Sequence, residues 1–152
     1  MPRALAPSSL IFRRAARLPA ALFSALFLLV PAPAQTATQI TSARVWPAQD
    51  YTRVTLETPA PVRYTLFSLK DPERLVLDLE DIEITAALRD LPGKIGADDP
   101  HVQAVRIGRF KPGVVRLVFD LKAEVKPQAF ALAPVGDYGH RLVVDLYPLV
   151  PP

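Results

Sequence analysis

"RLVLDLE" (residues 74–80), "VRLVFDLK" (115–122) and "RLVVDLYP" (141–148) spell nearly the same strand three times. The shared pattern is Arg-Leu-Val-x-Asp-Leu, and "RVTLE" from Arg53 is a weaker relative. Apolar residues alternate with a period of two, which marks a strand with one buried face. Leu75, Leu77 and Leu79 share one face of the first copy; Leu117, Phe119 and Leu121 share it in the second, and Leu142, Val144 and Leu146 in the third. Arg74, Asp78, Arg116, Asp120, Arg141 and Asp145 fall on the opposite, outward face, each Arg–Asp pair straddling a Val.

The repetition extends beyond the motif. "ARVWPAQDYTRVTLE" from Ala43 aligns with "VRIGRFKPGVVRLVFD" from Val105, so that Arg44 falls on Arg106 at an offset of 62 and Arg53 on Arg116 at 63. "VRYTLFSL" from Val62 then aligns with "VKPQAFAL" from Val125, and Arg74 falls on Arg141 at an offset of 67. Turn signals separate the runs: "TPAP" (58–61), "KDPE" (70–73), "LPGK" (91–94), "KPG" (111–113) and "VGDYGH" (135–140). The single helix-like stretch is "TAALRDL" (85–91), with Thr85 placed to cap it and Pro92-Gly93 to end it. Two halves of four strands each predict an all-β fold, a sandwich of two similar four-stranded sheets with at most one short helix. An open barrel is the nearest competitor.

Residues 1–34 read as an export signal. Arg13, Arg14 and Arg17 precede the apolar run "LPAALFSALFLLV" (18–30), and "APA" (32–34) supplies a small-x-small cleavage site. The run is shorter than the roughly 20 apolar residues of a spanning helix. "FRR" (12–14) only partly matches a twin-arginine signal, so either the general secretory or the twin-arginine route is open. Cleavage would leave Gln35 at the N-terminus. The signal holds four of the eighteen Lys and Arg and none of the fifteen Asp and Glu, so the remainder carries fourteen cations against fifteen anions, net −1. Without the signal there is no basic excess to hold a nucleic acid and no segment to hold a membrane. The chain has no Cys, so an exported fold must stand without disulfides.

Catalytic chemistry is not written here. A zinc site takes three protein ligands, and beyond the signal the histidines are His101 and His140, one in the connection between halves and one in the last hairpin. Asp98 and Asp99 read as a solvated turn. No catalytic residue, metal ligand or cofactor is expected. The outward Arg and Asp are the candidates for function. Along one strand they lie roughly 13 Å apart, too far to pair, but across strands they can form a ladder of surface salt bridges worth about 0–1 kcal/mol each. Alternatively the face binds an extended polar polymer. Arg suits carboxylates through its bidentate fork, and Asp accepts from hydroxyls and amides. The candidate ligand-binding set is Arg74, Asp78, Arg116, Asp120, Arg141 and Asp145, with Arg44, Arg53 and Arg106 on flanking strands. Trp46, Tyr51 and Tyr147 could stack on sugar rings, although a lone Trp in a small sandwich more often packs in the core or at its rim. Phe67, Phe119 and Phe130 read as core.

"RVWPAQDYTRVTLE", "LKDPERLVLDLE", "LRDLPGKI", "PGVVRLVFDLK", "KPQAFALAP" and "HRLVVDLYP" together resemble the AMIN domain, from about Ile40 to Pro148. This is the non-catalytic N-terminal domain of AmiC-type N-acetylmuramoyl-L-alanine amidases. The resemblance implies a periplasmic sandwich of two four-stranded sheets that binds peptidoglycan and targets a cell-wall hydrolase to the division septum. AMIN domains also occur in type IV pilus secretins, which leaves a protein-interaction module with septal or envelope protein partners as the alternative. Residues 40–148 would form the domain. The stretch 149–152, ending in "VPP", resembles the start of a Pro-rich linker, beyond which family amidases continue into a zinc-dependent catalytic domain.

Overall fold

Among the described residues ten strands form, in chain order β1 (Thr38–Gln39), β2 (Ser42–Pro47), β3 (Thr52–Thr58), β4 (Tyr64–Leu69), β5 (Arg74–Glu80), β6 (Ile82–Glu83), β7 (Val102–Lys111), β8 (Val114–Leu121), β9 (Val125–Leu132) and β10 (His140–Pro148). The structure, a computed structural model, describes residues 30–34 and 36–152; the expected export signal lies almost wholly outside the described residues. No described helix is long and apolar enough to cross a membrane.

Two antiparallel four-stranded sheets pack face to face, sheet I in the order β2-β3-β10-β9 and sheet II in the order β4-β5-β8-β7. The sandwich, not the open barrel, is the fold. Its core is the alternation written in the motif strands. Leu75, Leu77 and Leu79 of β5, Leu117 and Phe119 of β8, and Leu142, Val144 and Leu146 of β10 are buried together with Val54 and Leu56 of β3. Leu121, the last inward residue of its strand, is partly buried and packs against them.

The halves do not each make a sheet. Each sheet takes a hairpin from both: β2 and β3 of the first half join β9 and β10 of the second, and β4 and β5 join β7 and β8. The strands of the repeated motif, β5, β8 and β10, and its weaker relative β3 therefore occupy the centres of the sheets, where both edges of the strand are hydrogen-bonded, while Arg44 and Arg106 lie on the edge strands β2 and β7. The edges go to strands less suited to a centre, including β9, whose Pro127 has no N–H to give a ladder.

Two aromatic positions differ from expectation. Phe119 is core, but Phe67 pairs with Val76 and Phe130 with Val143. Directly paired residues share a face, so Phe67 and Phe130 lie on the outer faces, half-buried. Val76 and Val143 point outward too and are nonetheless buried.

The link between halves is also better ordered than its composition suggests. The helix is shorter than expected, α1 spanning Ala86–Arg89, and the chain continues into a 3₁₀ turn over Leu91–Lys94 with Pro92 in its first turn, where no N–H is needed. Thr85 sits at the N-cap, but its hydroxyl donates to the Ile40 carbonyl at 2.8 Å instead of capping. Leu88 and Leu91 are buried in the core. Asp99 is not solvated: it is buried and accepts from the Thr52 hydroxyl and from the backbone N–H of His101 and Val102 at 2.8–2.9 Å. The Thr52 hydroxyl also lies 3.0 Å from His101 Nδ1. This cluster fastens the link to β3. Asp98 stays exposed.

Candidate functional site

The central strands bring their Arg and Asp residues together across the ladder. Arg116 lies opposite Asp78 and donates to it from Nε and Nη2 at 2.7 and 2.8 Å. Arg53, its counterpart in the repeat, lies opposite Asp145 and grips it in the same way at 2.7 and 2.8 Å. Arg106 holds Asp120 at 2.9 and 2.8 Å. These hydrogen bonds to the carboxylates raise the guanidinium pKa of Arg53, Arg106 and Arg116 above the ordinary value.

Of the two readings of the outward Arg and Asp, the cross-strand ladder forms at these three pairs. Asp145 points outward but is only 1% exposed, because the face above it is filled. Arg53 lies within 6 Å of both the Tyr51 and the Phe130 rings, and Tyr51 contacts Tyr147 at 5.1 Å between centroids. The Tyr147 phenol is raised in pKa by desolvation first and by the Asp145 carboxylate second. Asp78, Asp120 and Asp145 have their carboxylates occupied by arginines, so they do not stand free to accept from a ligand.

Two candidates stand apart from this pattern. Arg74 lies opposite Asp120, yet Asp120 is taken by Arg106 and the Arg74 Nε donates to the Pro72 carbonyl at 3.2 Å. Arg141, its counterpart in sheet I, lies opposite Glu57. Glu57 accepts from the Gly139 N–H at 3.0 Å and faces Arg44 at 3.6 Å. Arg141 forms no ion pair with a described carboxylate, and its Nε is buried without a hydrogen-bond partner. Its guanidinium lies 5.0 Å from the Tyr138 ring centroid, and that of Arg44 lies 5.5 Å from the same ring.

These residues line an open groove of about 500 Å³ on the outer face of sheet I, bounded by Arg44, Trp46, Arg53, Leu132, Tyr138 and Arg141. Trp46 is 61% exposed and meets Tyr51 edge-on at 6.2 Å; it is neither core nor buried rim. Tyr138, on the loop between β9 and β10, is the residue that strand periodicity could not supply. Sheet II has a shallower depression around Arg106, Phe110 and Arg116, where the Arg116 guanidinium sits 3.5 Å from the centroid of Phe110. His140 and His101 do not come together with a third ligand: among the described residues no group of three His, Cys, Asp or Glu is placed to hold a metal ion.

The profile of the AMIN domain family matches residues 42–146. The chain is similar to the N-acetylmuramoyl-L-alanine amidase AmiC of Escherichia coli O6:H1, at 50% identity over 110 residues, which cover 72% of this chain and 26% of that protein. It is also similar to the N-acetylmuramoyl-L-alanine amidase AmiC of Neisseria meningitidis serogroup B, at 48% identity over 128 residues, covering 81% of this chain and 31% of that protein. The matched segment thus spans less than a third of either relative.

Proposed function

The chain belongs to the AMIN domain family, and on that premise we propose that it is the non-catalytic, peptidoglycan-binding part of an N-acetylmuramoyl-L-alanine amidase. It holds the hydrolase on the cell wall at the division septum, in the periplasm, where daughter cells separate. Residues 40–148 do the binding, and the export signal delivers them. The observation that carries the reading is the outer face of sheet I. An exposed Trp, two arginines not held bidentately by a carboxylate and an open groove occupy one surface. An extended glycan with peptide branches offers the matching groups: sugar faces for the aromatic ring and carboxylates for the guanidinium forks. The amidase relatives, whose remaining length lies outside the match, support a division of labour between binding here and hydrolysis elsewhere.

Co-sedimentation with purified sacculi tests this. The chain is expected to pellet with sacculi and to release no peptide from them, and its N-terminus recovered from cells is expected at Gln35. Peptide release abolished by a chelator would overturn the non-catalytic assignment. Sacculus binding without septal localisation of a fluorescent fusion would move the targeting role to another part of the amidase.

A further inference from the structure

Arg141 stands out among the outward arginines because its Nε is buried without a hydrogen-bond partner. Arg53, Arg106 and Arg116 each close their Nε–Nη2 edge on a carboxylate, with all six hydrogen bonds at 2.7–2.9 Å. Arg74, the repeat counterpart of Arg141, satisfies its Nε on the Pro72 carbonyl. Arg141 Nε alone among these is buried without a partner. A buried N–H left unsatisfied is destabilising, and a second cation, Arg44, lies against the same Tyr138 ring. Glu57 does not answer this demand, being engaged by Gly139 and Arg44. Arg141 lines an open groove with a guanidinium that no described carboxylate pairs, a cation suited to a ligand carboxylate.

We propose that the groove of sheet I is a carboxylate subsite, in which Arg141 and Arg44 receive a peptide carboxylate of the cell-wall polymer while Trp46 packs against the glycan. This rests on the peptidoglycan reading above and names the group recognised. The register separates the two ends of the site. Trp46 lies level with Arg53 and Asp145, and Arg141 lies four residues further along β10, a distance of roughly 13 Å along the strand. That spacing suits a carboxylate carried on a peptide branch rather than one attached directly to the sugar ring.

Three probes decide it: native sacculi, sacculi whose carboxylates have been converted to amides with carbodiimide and ammonia, and glycan strands freed of peptide, which retain the lactyl carboxylate on the sugar. Binding to native sacculi is expected to exceed binding to either other probe about tenfold or more, and to weaken as salt rises. Arg141→Gln and Arg44→Gln should each lower native-sacculus binding about tenfold and leave residual binding to amidated sacculi unchanged. If Arg141→Gln melts early, Arg44→Gln, at a half-exposed position, carries the test. Equal binding to native and amidated sacculi would overturn the carboxylate subsite while leaving the cell-wall reading intact. Undiminished binding to peptide-free glycan would overturn it in favour of the sugar or its lactyl group. Binding to none of the three would overturn the cell-wall reading and the subsite with it.

Discussion

The outer faces of sheets I and II carry the same strand chemistry and differ in what closes over it. Arg53–Asp145 mirrors Arg116–Asp78, and Arg44–Glu57 mirrors Arg106–Asp120. Phe130 and Phe67 lie beneath corresponding guanidiniums. At the Trp46 position sheet II has Gly108, and where sheet I has Tyr147 sheet II has Glu80. The stretch between Leu132 and Arg141 is four residues longer than the equivalent stretch between Leu69 and Arg74, and the longer stretch carries Tyr138. On sheet II Arg106 and Arg116 close on carboxylates and Arg74 on a carbonyl; of their counterparts on sheet I, Arg53 closes on Asp145, while Arg44 and Arg141 make no hydrogen bond to a carboxylate. The central strands, which must pack and pair, match between the sheets, while the edges and hairpin tips, free of those constraints, differ, and the groove lies on one side.

The largest effect that separates the faces is on stability. Asp145 is almost wholly buried, whereas Asp78 is 15% exposed. Arg53→Met leaves the Asp145 carboxylate buried and unpaired, and should cost about 3 kcal/mol, near the low end for a broken buried pair because Arg53 itself reaches solvent. Arg116→Met leaves Asp78 with some access to water and should cost about 1–2 kcal/mol. Urea denaturation of both variants checks the order. Equal costs would mean that the two faces are buried alike and that the aromatic cover on sheet I contributes nothing to that pair.

Next comes the aromatic at the groove mouth. Trp46→Ala should reduce sacculus binding about tenfold or more, in line with a central aromatic anchor, with stability changed by less than about 0.5–1 kcal/mol because the ring is mostly exposed. The reciprocal change sharpens the contrast. A β carbon at Gly108 would meet nothing within 4 Å, so Gly108→Trp starts without a clash at the backbone. It should add no binding, because the neighbouring Arg106 and Arg116 are already occupied. A gain comparable to the loss in Trp46→Ala, measured in the same sedimentation assay, would show that an aromatic alone makes the site.

Much of this was legible in the chain itself, and the parts that were not have physical causes. Period-two alternation in residues 74–80, 115–121 and 141–147 placed the inward Leu and Phe correctly because burial enforces it. Spacing also made cross-strand Arg–Asp pairing available. It could not say that each sheet draws on both halves, because a repeat offset identifies equivalent strands and not hydrogen-bonded ones. Phe67 and Phe130 misled because aromatic residues on edge strands serve as well over a guanidinium as in a core. Asp99 misled because an acidic turn looks solvated until Thr52, 47 residues away, donates to it. The growth of the repeat offset from 63 to 67 was visible evidence of the inserted hairpin tip, but nothing in the sequence alone brought Tyr138 against Arg44 and Arg141.

That tip provides a smaller test. Val135 and Tyr138 pair with each other through two backbone hydrogen bonds, so deletion of residues 135–138 removes a self-contained, exposed turn. It restores the loop length found in sheet II. Such tips tolerate change, and stability should move by no more than about 1 kcal/mol. Sacculus binding should fall roughly three- to fivefold, less than for Trp46→Ala, because Arg44 and Arg141 remain but lose the ring that both approach, worth about 0.5–1 kcal/mol per exposed contact. Unchanged binding would mean that the two arginines need no organising ring, and that the groove owes its character to β2 and β10 alone.

The smallest expected effect falls on Arg106. It is the repeat counterpart of Arg44 and the more exposed of the two, at 60% against 49%, so exposure alone would make it the better ligand contact. Its Nε and Nη2 are closed on Asp120, whereas Arg44 approaches Glu57 only at 3.6 Å. A ligand carboxylate at Arg106 would have to displace an aspartate held in place by the fold, and the exchange of one carboxylate for another yields little. Nor does the pair stabilise the sandwich much, since exposed ion pairs contribute about 0–1 kcal/mol. Arg106→Gln should therefore leave sacculus binding within experimental error and stability within about 0.5 kcal/mol, while Arg44→Gln in the same preparation loses binding. If Arg106→Gln weakens sedimentation as much as Arg44→Gln, occupancy by an internal carboxylate is not what divides the faces, and both sheets bind the wall.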